Sequence, residues 1–323
     1  MQRGAGRDAR SGPPGIFETI AAAMSALLVQ PLPLVVPIAL DLYLSGGARL
    51  SPAPVVDPLR RWLARQDGAD AAGLVDGLER LARNGDLATV AAAFLPSLLV
   101  DGAAAGNVPW QRPSVDLGGS AVTLLSAVGL LGLGIWGAMA FGTMLARLAK
   151  GRAPLGDRFL RASGLATIRY VGFLALFALA TAAVVVPLAI VGAVFEVVGL
   201  TALVGLVVAA LVVPAIAAYV LLAFVGEAIV VAEVGPLRAC SLSFGVVRRN
   251  PWPTIGLLLV LLIGSAAVAR LGGQLAGSLP GLLLAVVAYA FVATGLALAR
   301  IQFFADRLRR WRADLVPPPM PMT

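Results

Sequence analysis

The chain has 323 residues, of which 59% are apolar and only 13% charged, and its formal net charge is +8. So few charges cannot cover even one water-soluble domain of this length, which excludes an ordinary globular chain. There is no histidine and a single cysteine, Cys240, which excludes Ser-His-Asp and Cys-His nucleophilic sites, histidine-ligated zinc or haem, and an intrachain disulfide.

The apolar residues fall into runs of twenty or more, long enough to cross ~30 Å of hydrocarbon as helices. Strict two-residue alternation is missing, which argues against a membrane barrel. The expected fold is all-α: a polytopic membrane bundle of about six transmembrane helices with a small helical extracytoplasmic cap. Nearly all the basic residues are arginine. In a soluble chain that excess suggests nucleic acid. Here it suits loops at anionic headgroups, and no basic stretch is interleaved with aromatics, so membrane lipids are the expected partner and nucleic acid is not.

Residues 1–17 are rich in Gly, Arg and Pro and read as a disordered cytoplasmic N-terminus. The first span is 18–44. It contains "VQPLPLVVP" (29–37), where Gln30 lies near mid-span and Pro31, Pro33 and Pro37 remove three backbone donors. Such a break either lines a binding cavity or is a kink satisfied by neighbouring helices.

Residues 45–118 form the only sizeable polar region, expected outside the cytoplasm. "VVDPLRRWLARQ" (55–66) and "GLVDGLERLARNG" (73–85) each place apolar residues on one helical face. "LATVAAAFLPSLLV" (87–100) is short for a span and contains Pro96, which suits an interfacial or re-entrant helix. With the two amphipathic helices it could complete the cap. The linker at 102–106 is expected to be open to protease. A five-helix core, 119–310, then holds spans at 119–146, 168–194, 200–226, 254–275 and 280–303, before a Pro-rich tail at 311–323.

Charge sets the threading. With six spans and the N-terminus inside, the cytoplasmic segments carry 17 basic residues and the outer segments 8. The expectation is a multi-pass protein of the bacterial inner (cytoplasmic) membrane with both termini cytoplasmic. A seventh span at 87–100 would disrupt that asymmetry.

Residues 153–176 and 235–261 share a plan, a Pro-Leu start, a basic amphipathic stretch, an interfacial aromatic and then a span, which either marks a repeat or is how any inner loop re-enters the membrane. In the second, "EAIVVAEVGPLRACSLSFGVVRRNPWPTIGLLLVLL" (227–262), Arg248 and Arg249 sit at headgroup level, Trp252 belongs to the interfacial aromatic belt, and Pro251 and Pro253 suit a helix start. This stretch resembles the signature of the bacterial glycerophosphodiester phosphodiesterase membrane-domain family. The matching positions are Glu233, Gly235, Pro236, Ala239, Ser243, Arg248, Asn250 and Trp252. The resemblance implies a fold and a location, and no hydrolysis: the phosphodiesterase barrel fused to some relatives is absent, and its histidines with it.

No Gly-rich phosphate loop, CxxC pair or paired carboxylates on one helix face appear. Asp41, Glu196, Glu227, Arg270 and Arg300 all fall near a membrane face, where snorkelling explains them. Glu196, in the turn between spans three and four, and Arg270, late in span five, fall at the same outer depth and are expected to pair. Gly134, Ala138 and Gly142 offer a smooth face for helix packing, with room for a homo-oligomer or membrane-protein partner. No catalytic, cofactor or metal residue is expected. The functional expectation is a non-enzymatic scaffold, assembly or lipid-organising component. The alternative is a transporter or permease for a small solute or lipid. A lipid-modifying enzyme comes third, with Glu227 and Arg300 its only candidate pair.

Overall fold

The computed structural model describes residues 14–65, 69–101, 110 and 112–314. Most of the expected disordered N-terminus, the linker at 102–106 and most of the Pro-rich tail lie outside the described residues. Among the described residues five helices are long and apolar enough to cross a membrane: α7 (Ser120–Ala149), α8 (Phe159–Val197), Ala209–Ala232, α12 (Pro251–Leu275) and α13 (Leu279–Asp314), the third combining the end of α9 (Thr201–Leu221) with α10 (Val225–Ala232). Taken as one span, α1 (Ile16–Val29) with α2 (Val35–Gly46), bent by 90° at a short 3-10 turn, is a sixth. The fold is the expected all-α membrane bundle. Among the described residues the strands are only β1 (Arg49–Leu50) and β2 (Ser114–Val115), paired in parallel.

The bend in the first span is the proline break read from sequence. Pro31 and Pro33 cannot donate to the helical ladder, and the backbone turns through Leu32–Leu34 before resuming. Pro14 lies 3.5 Å from Arg307 near the end of α13, and Leu44 of α2 packs in a cluster with Leu282 near the start of α13. The broken segment therefore runs the length of α13. Both described chain ends sit at one end of the bundle, where Trp311 also stacks under Arg249 of α11 (Pro236–Arg249) at 4.8 Å.

The amphipathic helices expected in the polar region are α3 (Ala53–Leu63) and α4 (Ala69–Asn84), which pack on each other. The segment 87–100 does not join them as a cap. It forms α5 (Ala88–Ala92), a turn, and α6 (Leu98–Asp101), all inside the bundle. Gly134 stands halfway along α7, and a side chain there would overlap the Ala91 backbone. The segment therefore enters from the α3–α4 end to about mid-bundle and turns back, the re-entrant reading. Its entry is fixed by Asp86. One carboxylate oxygen accepts from the Leu50 and Ala88 amides, and the other pairs with Arg112 at 2.6 Å. Arg112 also donates to the Gly47 carbonyl, so one ion pair joins the end of the first span to both strands of the polar region.

The shared plan of 153–176 and 235–261 does not produce two alike units. In the first, α8 runs unbroken from Phe159. In the second, α11 and α12 are separate helices joined at Asn250.

Two outcomes test this packing. Gly134→Leu should destabilise the detergent-purified protein by about 1–3 kcal/mol, read by thermal unfolding, because the backbone of α5 cannot move aside. Leu98→Cys, in a Cys240→Ser background, should resist a membrane-impermeant maleimide in intact vesicles of either orientation, whereas Ala72→Cys on α4 should label from one side.

Candidate functional site

Irregular backbone inside a bilayer needs polar partners from the protein, because lipid offers none. Besides the break at Gln30–Leu34, the described residues hold two such places. The first is the turn of the re-entrant segment. Asp41 of α2 is 0% exposed and its carboxylate accepts from the Ser97 hydroxyl at 2.6 Å, the Leu98 amide at 2.9 Å and the Leu99 amide at 3.4 Å. A buried carboxylate is tolerable only when its lone pairs are filled in this way.

The second place is the break between α9 and α10, at Leu222–Phe224. The Ser243 hydroxyl, projecting from α11, donates to the Leu221 carbonyl at 2.7 Å and accepts from the Phe224 amide at 3.1 Å. The Ala223 carbonyl accepts from the Arg300 guanidinium. With the break satisfied, α10 starts afresh and presents Glu227, whose carboxylate meets the Arg300 Nε at 2.7 Å and Nη2 at 3.2 Å. Only the Nη2 contact has hydrogen-bond geometry, so the two groups form a close ion pair rather than a bidentate fork.

Between these two places lies a cavity of about 470 Å³, reached by α7, α8, α10, α12 and α13. Glu227, Arg300 and Tyr170 line it toward one end. At the other, the Tyr289 hydroxyl donates to the Asp101 carboxylate at the close of α6. From Leu279 to Tyr289 α13 rises ~15 Å, and from Tyr289 to Arg300 ~16 Å more. Tyr289 thus lies near half-depth along α13 and the ion pair near the boundary at the basic end. Phe94, Leu95 and Pro96 from the re-entrant turn also line the cavity. Chemically, the cavity offers two carboxylates, one guanidinium and two phenols within an apolar wall, in the size range of small-molecule sites.

A family description, Domain of unknown function (DUF7847), matches residues 71–299, more than half of the chain. The chain belongs to the DUF7847 family. No curated protein and no solved structure matches it. The DUF7847 region takes in the re-entrant segment, Glu227, Ser243 and Tyr289, and stops one residue short of Arg300. Asp41, which holds the re-entrant turn, lies outside it.

The residues singled out from the DUF7847 sequence are placed as follows. Glu233 closes α10 with a left-handed backbone (φ 55), and Pro236 opens α11 behind Gly235. Arg248 and Arg249 occupy the last turn of α11, where cations suit a helix C-terminus. Asn250 ends that helix, donating its side-chain amide to the Val246 carbonyl at 3.2 Å, and caps the next. Trp252 is 80% exposed at the start of α12. Only Ser243 of this motif reaches the site, and it acts by positioning the start of α10.

Gln30 and Pro31 line a groove apart from the polar cavity, walled otherwise by apolar side chains and by Ala153 and Pro154 of the loop after α7, while Pro33 and Pro37 are buried; the segment is bent by 90° there, so the break is a kink that also walls a groove. One expectation is corrected. Glu196 and Arg270 form no ion pair among the described residues: α8 packs on α7 and α9, while α12 packs on α13, α6 and α1. Equal depth fixed their height but not their position around the bundle. Sequence reasoning missed Asp101, which lines the cavity and meets Tyr289; the signal for it is its place directly after "FLPSLLV", an apolar run that turns at a proline.

Removing the Ser243 hydroxyl strips both partners from the break. Ser243→Ala should cost about 1–3 kcal/mol in thermal unfolding. Asp41→Ala should cost at least as much, since it leaves three donors unfilled in a dry interior.

Proposed function

We propose that this DUF7847 chain is a non-enzymatic membrane protein that binds a small polar or zwitterionic solute in the bundle cavity and passes it through the membrane, a permease. The single observation that supports this reading is the 470 Å³ cavity with Asp101–Tyr289 at one end and Glu227–Arg300 toward the basic end. Intramembrane ionisable groups are expensive, and those that face an internal cavity mark solute pathways more often than packing. The re-entrant turn covers the cavity from one end, as irregular backbone does in transporters.

The location we propose is the bacterial cytoplasmic membrane with both termini in the cytoplasm, supported by the 17 to 8 distribution of basic residues. We also propose kinship with the membrane domain of the glycerophosphodiester phosphodiesterase family, on the 227–262 stretch. A second reading, a scaffold or assembly component, is favoured by α8: no residue from Val171 to Val191 is buried, which leaves an apolar surface for lipid, a second copy or another membrane protein.

Cavity filling separates the readings. The full chain in nanodiscs, analysed by native mass spectrometry, should carry a small-molecule adduct that Ala138→Phe with Ala297→Phe abolishes while the protein stays folded. Metabolite uptake by cells expressing the wild type should exceed that of the filled variant at least several-fold. Equal uptake and identical spectra for the two proteins would reject the permease reading. Reporter fusions at Ser11 and Pro317 should both report cytoplasm.

A further inference from the structure

At the basic end of the bundle, away from the central cavity, a second cleft of about 100 Å³ lies between the last turns of α7, the first turns of α8 and the end of α10. At ~30 Å³ per water, it has room for about three waters, or a group of phosphate size. Its charged lining is Arg147, Lys150, Arg152, Arg169 and Glu233, four cations against one carboxylate.

Two of the cations have structural tasks. Arg147 donates to the Ala153 carbonyl at 2.9 Å and the Asp157 carbonyl at 3.3 Å, which folds the loop after α7 back on itself. Lys150 donates to the Val231 carbonyl at 3.0 Å and so holds the end of α10. The Arg152 and Arg169 guanidiniums make no hydrogen bond or ion pair among the described residues, the Arg152 amide being held by the Arg147 carbonyl. Arg169 is half-buried on α8 and Arg152 is exposed on the loop. Two unpaired guanidiniums on a small concave site, with their donors unused, match the oxygens of a phosphate group.

The neighbouring surface indicates what carries the phosphate. Ala153 and Pro154, the residues after Arg152, line the apolar groove at the Gln30 kink, whose volume is about 650 Å³. One loop thus contributes a cation to a polar cleft and two apolar residues to an open, mostly apolar groove. A headgroup phosphate beside an acyl chain has that same order of chemistry.

We propose that Arg152 and Arg169 bind the phosphate of an anionic phospholipid at the basic end of the bundle, with Arg147 and Lys150 holding the cleft in shape.

The test uses the full chain in non-ionic detergent, titrated with dioleoylphosphatidylglycerol, with dioleoylphosphatidylcholine and with sodium phosphate, and read by melting temperature. Phosphatidylglycerol should raise the Tm saturably, and phosphatidylcholine should not. Arg152→Gln with Arg169→Gln should shift the half-saturating phosphatidylglycerol concentration upward at least tenfold, while Arg152→Lys with Arg169→Lys should recover most of the response. Arg309→Gln with Arg312→Gln, on the exposed end of α13, should change nothing. Arg152 lies on an exposed loop, so Arg152→Gln alone keeps the test open if the double variant does not fold, and should shift half-saturation severalfold. An unchanged response in the glutamine variants, or equal stabilisation by phosphatidylcholine, overturns the site. Saturation by sodium phosphate at the concentration that suffices for phosphatidylglycerol overturns the lipid as its source.

Discussion

A peptide group that leaves the helical ladder inside a bilayer must find a partner in the protein, and two places where it does flank this bundle's cavity. Asp41 takes the free donors of the re-entrant turn at Ser97–Leu99. Ser243 and Arg300 take the free groups of the break at Leu222–Phe224. Were either break unsatisfied, each exposed group would cost several kcal/mol in hydrocarbon, and the segment would be driven back into continuous helix or out to the interface.

The two breaks create the cavity. A continuous helix in place of α9 and α10 would not present Glu227 to Arg300 from a fresh helix start. Without the re-entrant turn, Asp101 would not reach Tyr289. The charged groups facing the cavity are therefore held by the same hydrogen bonds that make the irregular backbone tolerable. Stability and site are linked through Ser243 in particular: it touches nothing in the cavity, yet it sets where α10 begins.

Arginine supplies much of this economy of charge. Arg300 serves a carbonyl and a carboxylate at once, Arg112 a carbonyl and Asp86, and Arg147 two carbonyls of one loop. A guanidinium with five donors in a rigid fork can do this; an ammonium on a flexible stem does so with less geometric control. The near-exclusive use of arginine in the chain fits that demand.

What the sequence determined by itself was the class. Runs of apolar residues longer than the bilayer is thick can only be spanning helices, and prolines at 31 and 33 must interrupt the first of them, because these constraints act within one segment. It also marked Ser243 and Glu227 as parts of one stretch, and the amphipathic α3 and α4 by their period. What only the tertiary structure decided was which groups meet across the bundle. The depth of Glu196 and Arg270 was readable along each helix, but rotation and neighbour choice were not, and α12 packs on α13 rather than α8. The run at 87–100 was left between two readings because its length is ambiguous; the fit of Ala91 on Gly134 and of Ser97 on Asp41, far apart in the chain, carried it inside. Periodicity and hydropathy are local sums, whereas a buried carboxylate is placed by partners that fold brings from fifty or more residues away.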